Sequence, residues 1–124
     1  MIAADSSSLS AYFKGESGPD VEQVAGALLA GTIAISPVIL TEMLSSPSAS
    51  RAMMETVIDF PLLPIIDGFW QRAGEARSRL RSLGLRAKVG DALIAQSCLD
   101  HAVSLITRDA DFRHFAAHCG LKLA

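Results

Sequence analysis

Cysteine is scarce in this sequence. Cys98 and Cys119 are the only two, and neither belongs to a CxxC pair or another metal-type spacing, so a thiolate metal centre is excluded and both read as reduced, buried small hydrophobes. Aromatic residues make up only 6%, which makes the core aliphatic, and charged residues only 19% against 50% apolar, which excludes a disordered chain. The opening Met1-Ile2-Ala3-Ala4-Asp5 lacks the basic flank and apolar length of a signal peptide. With two free thiols and no secretory signal, a cytoplasmic location is expected. No internal repeat is present, and a net charge of −2 does not by itself point to a nucleic-acid binder.

What is present fits one domain over residues 1–124, long enough for a real core and too short for two ordinary domains. Residues 1–5 form a short apolar strand ending in Asp5, and a helix starts at Ser6-Ser7-Ser8. Val21, Val24, Ala25, Leu28 and Leu29 give a second helical stripe, stopped by Gly31. Thr32 to Ile35 is a strand, and Ser36-Pro37 supplies an N-cap with proline at the first helical position. Ser46-Pro47 repeats that device and predicts another helix, with Ala49, Met53, Val57 and Phe60 on one buried face. The proline-rich run from Phe60 to Ile66 suits an edge strand or connector. A helix from Asp67 places Phe69, Ala73, Ala76, Leu80 and Leu83 on one face and stops at Gly84. The helix carrying Asp91, a buried strand over Val103–Thr107, a final helix that Asp109 can cap, and an edge strand at Leu121–Leu123 complete the chain. Strands alternating with helices predict an α/β fold with a parallel sheet flanked by helices.

The 19 uncharged residues from Gln23 to Thr41 approach the length of a membrane span. Gly26, Gly31, Thr32, Ser36 and Pro37 interrupt them, and the period changes from helical to strand-like midway, so no membrane association is expected.

Four acids occupy comparable places. Asp5 follows the first strand, Glu42 lies in the second turn of the helix after the second strand, Asp91 starts a helix, and Asp109 follows the late strand. Each alone has a plain alternative as a helix cap, a dipole complement or a surface residue. Together they lie at the carboxyl edge of a parallel sheet, where ligands bind. Carboxylates gathered there repel one another, and a hard divalent cation, magnesium or manganese, relieves the repulsion. Beside them, Arg72, Arg77, Arg79, Arg81, Arg86 and Lys88 stand against Glu75 alone, a local excess of five positive charges that leaves −7 on the remainder. That segment reads either as a phosphate-binding rim or as a solvated helix face.

These residues resemble the PIN-domain family, in particular its small VapC-like ribonuclease toxins of type II toxin–antitoxin systems. The resemblance covers essentially the whole chain and rests on Asp5-Ser6-Ser7, Thr41-Glu42, Gly90-Asp91-Ala92-Leu93-Ile94-Ala95 and Leu105-Ile106-Thr107-Arg108-Asp109-Ala110-Asp111-Phe112. It implies a three-layer PIN-like fold with about five parallel strands. It also implies an acidic quartet of Asp5, Glu42, Asp91 and Asp109 around Mg2+ or Mn2+, with Ser7 and Thr107 in support. Further implications are metal-dependent endonucleolytic cleavage of RNA, a homodimer and inhibition by a cognate antitoxin. Asp109 directly follows the strand and Thr107 and is preferred as the ligand; Asp111, two residues on, is assigned to support or to a helix-start charge.

Two other readings stand beside this one. A signalling receiver domain would need an acidic pair after the first strand and a lysine after a late one, where this chain has Asp5 followed by serines and Arg108-Asp109. A catalytically silent PIN-type binding module would bind an antitoxin but neither metal nor RNA. His114 and His118 lie four apart with Asp111 three before, a zinc-compatible spacing, but no glutamate follows the first histidine and the metalloprotease motif is missing.

Overall fold

A computed structural model describes residues 1–124. Its elements are β1 (Ile2–Ala4), α1 (Ser6–Phe13), α2 (Pro19–Ala30), β2 (Ile33–Ala34), α3 (Pro37–Leu44), α4 (Arg51–Ile58), α5 (Phe69–Ser82), α6 (Val89–Asp100), β3 (Leu105–Ile106) and α7 (Phe112–Cys119). The strands form a parallel sheet in the order β2-β1-β3, with Ile2 opposite Ile33 and Ala3 opposite Leu105. All of β2 and β3 is buried, as in parallel sheets covered on both faces.

The regular ladder has three strands rather than about five. Single bridges extend both edges, Ile35 to Leu62 and Leu105 to Leu123. On the first edge, Ile35 N–H donates to Pro61 O at 3.0 Å and Leu63 N–H to Ile35 O at 2.9 Å. Pro61 and Pro64 have no N–H to donate, so this strand stops at one bridge. On the other edge Leu105 is paired on both sides, its N–H to Lys122 O and its carbonyl to Ala124 N–H, each at 2.9 Å.

One core cluster of 24 buried residues runs through both faces of the sheet, with Leu9, Ile39, Leu80, Ile94, Phe112 and Phe115 among its large members. Its central helix is α6, whose Ala92, Ile94, Ala95, Gln96, Ser97 and Cys98 are all buried. The small Ala92 and Ala95 let neighbouring helices approach, and α5 packs closely along α6. Truncating Ile94 to alanine should cost about 2–5 kcal/mol.

Three local expectations need correction. The helix after α3 starts beyond Ser46-Pro47: Ser50 is the N-cap, its hydroxyl accepting the Met53 N–H at 3.1 Å, while the Ser46 and Ser48 hydroxyls pair with each other at 3.1 Å in the preceding turn. Along α2, Val24 and Ala27 are buried and Leu29 is 92% exposed, because the helix turns a narrower stripe toward its neighbours than its apolar content suggests. Leu83 lies outside the buried face of α5, as the C-cap where the chain leaves the helix. Ser36 caps α3 as expected, accepting the Val38 N–H at 3.4 Å, and also accepts the Ser97 hydroxyl at 2.9 Å, which fastens the start of α3 to α6. No helix is long and apolar enough to cross a membrane.

Candidate metal centre

Parallel strands deliver their carboxyl ends to one edge, and the acids arrive there from both halves of the chain. Asp5 N–H donates to Ile106 O at 2.9 Å, which sets Asp5 beside the end of β3. α6 feeds β3 and runs back along the sheet, so its first turn, with Asp91, returns to that edge.

Asp5 is buried at the N-cap position of α1, yet its carboxylate makes no capping bond. Its Oδ2 instead accepts the Ser7 hydroxyl at 2.7 Å and the Thr107 hydroxyl at 3.0 Å. Each hydroxyl is held in turn by backbone: Ser7 Oγ accepts Arg108 N–H at 3.3 Å, and Thr107 Oγ1 accepts Asp109 N–H at 3.0 Å. The two hydroxyls orient one carboxylate and tie β1 to the loop after β3.

Asp91, Asp109 and Asp111 come together, each with a carboxylate oxygen within 4.8 Å of the others. Asp91 Oδ2 is buried without a hydrogen-bond partner. Burial, then the charges of Asp109 and Asp5, push the Asp91 carboxyl up to about 6, with Lys88 pulling the other way. Glu42 stands on the open flank of the group, and its pKa is raised by desolvation and then by Asp5 and Asp91. Asp91 therefore feels Asp5, Asp109 and Asp111, Glu42 feels Asp5 and Asp91, and Asp111 stands directly beside Asp91 and Asp109. An orphaned buried carboxylate oxygen among repelling carboxylates fits a hard divalent cation with oxygen ligands. Asp91, Asp109 and Asp111 have the spacing to contact such an ion; Asp5 and Glu42 fall outside that three-residue group but are electrostatically tied to Asp91.

Asp109 uses its other capacity locally. Its Oδ1 accepts the Asp111 N–H at 2.9 Å, an Asx-type turn that leads into α7. Asp111 Oδ2 lies 3.8 Å from Arg86 Nε.

The basic residues divide by position. Arg72 grips Asp100 at the far end of α6, through Nε at 3.0 Å and Nη2 at 2.7 Å, and Asp100 also accepts Gln96 Nε2 at 2.8 Å. Asp100 lies nine positions after Asp91, about 13 Å along the helix. Arg77 caps the Ala87 carbonyl at 2.8 Å, and Arg79 donates to His118 O at 3.2 Å. Arg81 is exposed, while Arg86 and Lys88 are exposed beside the acids. Of the six, Arg86 and Lys88 flank the carboxylates directly.

Sequence reasoning missed Arg108. Its guanidinium pairs with Asp20 at the start of α2 and approaches Glu16, and Asp20 also accepts the Ser8 hydroxyl at 2.8 Å. Cys98, buried behind Asp5, has its thiol pushed up to about 12 by burial, so it stays protonated and unreactive.

The family profile described as PIN domain matches residues 2–118. The chain belongs to the PIN-domain family. Solved structures similar to this one include VapBC2 from Rickettsia felis bound to a DNA fragment from its promoter, at 24% identity and a TM-score of 0.73, covering 100% of this chain and 98% of that one. VapBC-5 of Mycobacterium tuberculosis, a member of the VapBC family of toxin–antitoxin systems, matches at 23% identity and a TM-score of 0.73, covering 98% and 95%. FitAcB of Neisseria gonorrhoeae matches at 17% and 0.72, covering 99% and 96%. A search of curated protein sequences finds no match. Membership of the PIN family also removes the receiver reading: Arg108, which stands where a receiver needs its lysine, is engaged by Asp20.

Proposed function

We propose that this PIN domain, acting as a single unit over residues 1–124, is a metal-dependent endoribonuclease and the toxin half of a toxin–antitoxin pair. The observation that carries the reading is the buried, unpartnered Asp91 Oδ2 within 4.8 Å-spaced carboxylates of Asp109 and Asp111. Mg2+ or Mn2+ would be held by Asp5, Glu42, Asp91 and Asp109, with Asp111 adjoining. Such an ion supplies charge that offsets the carboxylates, polarises a phosphodiester and lowers the pKa of water.

The chain's own groups do the rest. Ser7 and Thr107 hold the Asp5 carboxylate in one orientation, so no reorganisation is needed there during reaction. Glu42, exposed on the open flank, completes the carboxylate set on that side. Attack in line with the departing ribose oxygen breaks the P–O bond, and a proton goes to that oxygen. Arg86 and Lys88 offer charge to flanking phosphates. RNA as substrate, an antitoxin partner, a homodimer and a cytoplasmic location belong to the same proposal, supported by the fold shared with chains of VapBC complexes.

Incubating RNA with wild-type protein and Mg2+ or Mn2+ should give internal cuts that Asp5→Asn and Asp91→Asn proteins lose. Variants that cut as fast as wild type would refute the assigned site.

A further inference from the structure

Next to the carboxylates a cleft of about 350 Å³ opens between α1, α3 and the turn before α4. Glu42 belongs to both the cleft and the acidic group. Its α1 wall presents Ser6, Ser10, Phe13 and Lys14, spaced four, three and one residues apart and therefore on one helix face running away from Asp5.

Lys14 is exposed and forms no ion pair. The Ser10 hydroxyl has only the Met43 sulfur, at 3.7 Å, and across the cleft Ser46 and Ser48 bond only to each other. These hydroxyls are free to pair with a ligand. A serine hydroxyl both donates and accepts, which matches a ribose 2′-hydroxyl, and a lone lysine matches a phosphate. Phe13, half-buried against the core and edge-on to Tyr12, adds an apolar edge to the same wall. The volume suits a single nucleotide unit, not a duplex.

We propose that this cleft is the subsite for one ribonucleotide of a single RNA strand adjoining the cleaved phosphate, with Lys14 on its phosphate and the serines on its ribose. The proposal rests on the nuclease reading above and assigns where that substrate's neighbouring nucleotide lies.

Fluorescence anisotropy with a labelled single-stranded RNA decamer and its DNA counterpart, in EDTA to prevent cutting, tests it. Lys14→Ala should weaken RNA binding five- to tenfold and reduce the slope of log affinity against log salt by about 0.7, the value for one single-strand phosphate. Ser48→Ala combined with Ser10→Ala should reduce the preference for RNA over DNA at least threefold. Lys14 and Ser48 are exposed and Ser10 half-buried, and thermal melts check that the variants fold. Unchanged affinity and slope for Lys14→Ala would overturn the subsite. In either case RNA cleavage by wild type would leave the nuclease reading standing. Wild-type protein that neither binds nor cuts RNA would overturn both.

Discussion

Arg108 Nε lies 2.8 Å from Asp20 Oδ2 and Nη2 3.1 Å from Oδ1, a two-bonded fork between residues 88 apart in sequence. Because Arg108 sits between Thr107 and Asp109, this fork ties the loop that carries the late acids to the start of α2. Asp20 is held down to about 2, chiefly by the hydrogen bond from Arg108.

Breaking the fork should therefore show a defined pH signature. A carboxyl depressed on folding stabilises above its unfolded value of 3.8 and loses that contribution as pH falls through about 2. Arg108→Leu should lower the melting temperature at pH 6 by on the order of 3 °C, and the gap from wild type should close between pH 4 and pH 2. Equal melting temperatures at pH 6 would show that the fork contributes nothing.

Asp91 gives the opposite slope. Its carboxyl is raised to about 6, so in metal-free protein the folded state binds the proton more tightly than the unfolded state does. Stability should fall as pH rises from about 4 through 6. Asp91→Asn removes that slope and should raise the metal-free melting temperature at pH 7.5 by a few degrees, about 2–5 °C, while eliminating RNA cleavage. Calorimetric scans across pH 4–8 would decide; a variant less stable than wild type at pH 7.5 would contradict the repulsion argument.

Much of this was legible because it depends on local pattern. The Ser36-Pro37 cap, the short apolar strands and the acids beside their ends are readable from spacing alone, and they put Asp5, Asp91 and Asp109 at one edge. What escaped depends on pairs distant in sequence. Nothing near Arg108 indicates that Asp20 will receive it, and nothing near Arg72 indicates Asp100. The start of α4 escaped for a different reason, since Ser46-Pro47 and Ser50 are both competent caps and only tertiary context chooses between them. Both edge segments were readable, but beside Leu62 the flanking prolines leave a single bridge in place of a ladder.

The division among the basic residues predicts two kinds of defect. Replacing Arg86 and Lys88 together by glutamine should weaken RNA binding about tenfold and lower its salt slope by up to about 1.4, one phosphate for each charge. Arg72→Ala should leave RNA binding unchanged but lower the melting temperature, because Asp100, only 7% exposed in its side chain, loses its ionic partner. Binding titrations at several salt concentrations, paired with melts, separate the two. A loss of RNA affinity in Arg72→Ala without loss of stability would return Arg72 to the phosphate path.

Asp109 and Asp111 can be ranked by metal affinity. Both place an oxygen within 4.8 Å of Asp91, but Asp109 is fixed from two sides, its N–H bonded to Thr107 Oγ1 at 3.0 Å and its Oδ1 to Asp111 N–H at 2.9 Å. Asp111 is the less constrained, with Arg86 3.8 Å away. A ligand whose orientation is set before binding loses less entropy when the ion arrives, so Asp109 should contribute more. Asp109→Asn should weaken Mn2+ binding by at least about a hundredfold and Asp111→Asn by about tenfold, in line with the cost of losing a supporting group. Isothermal titration with Mn2+ at pH 7.5 measures both. The order reverses if Asp111 is the direct ligand and Asp109 acts through the turn it forms.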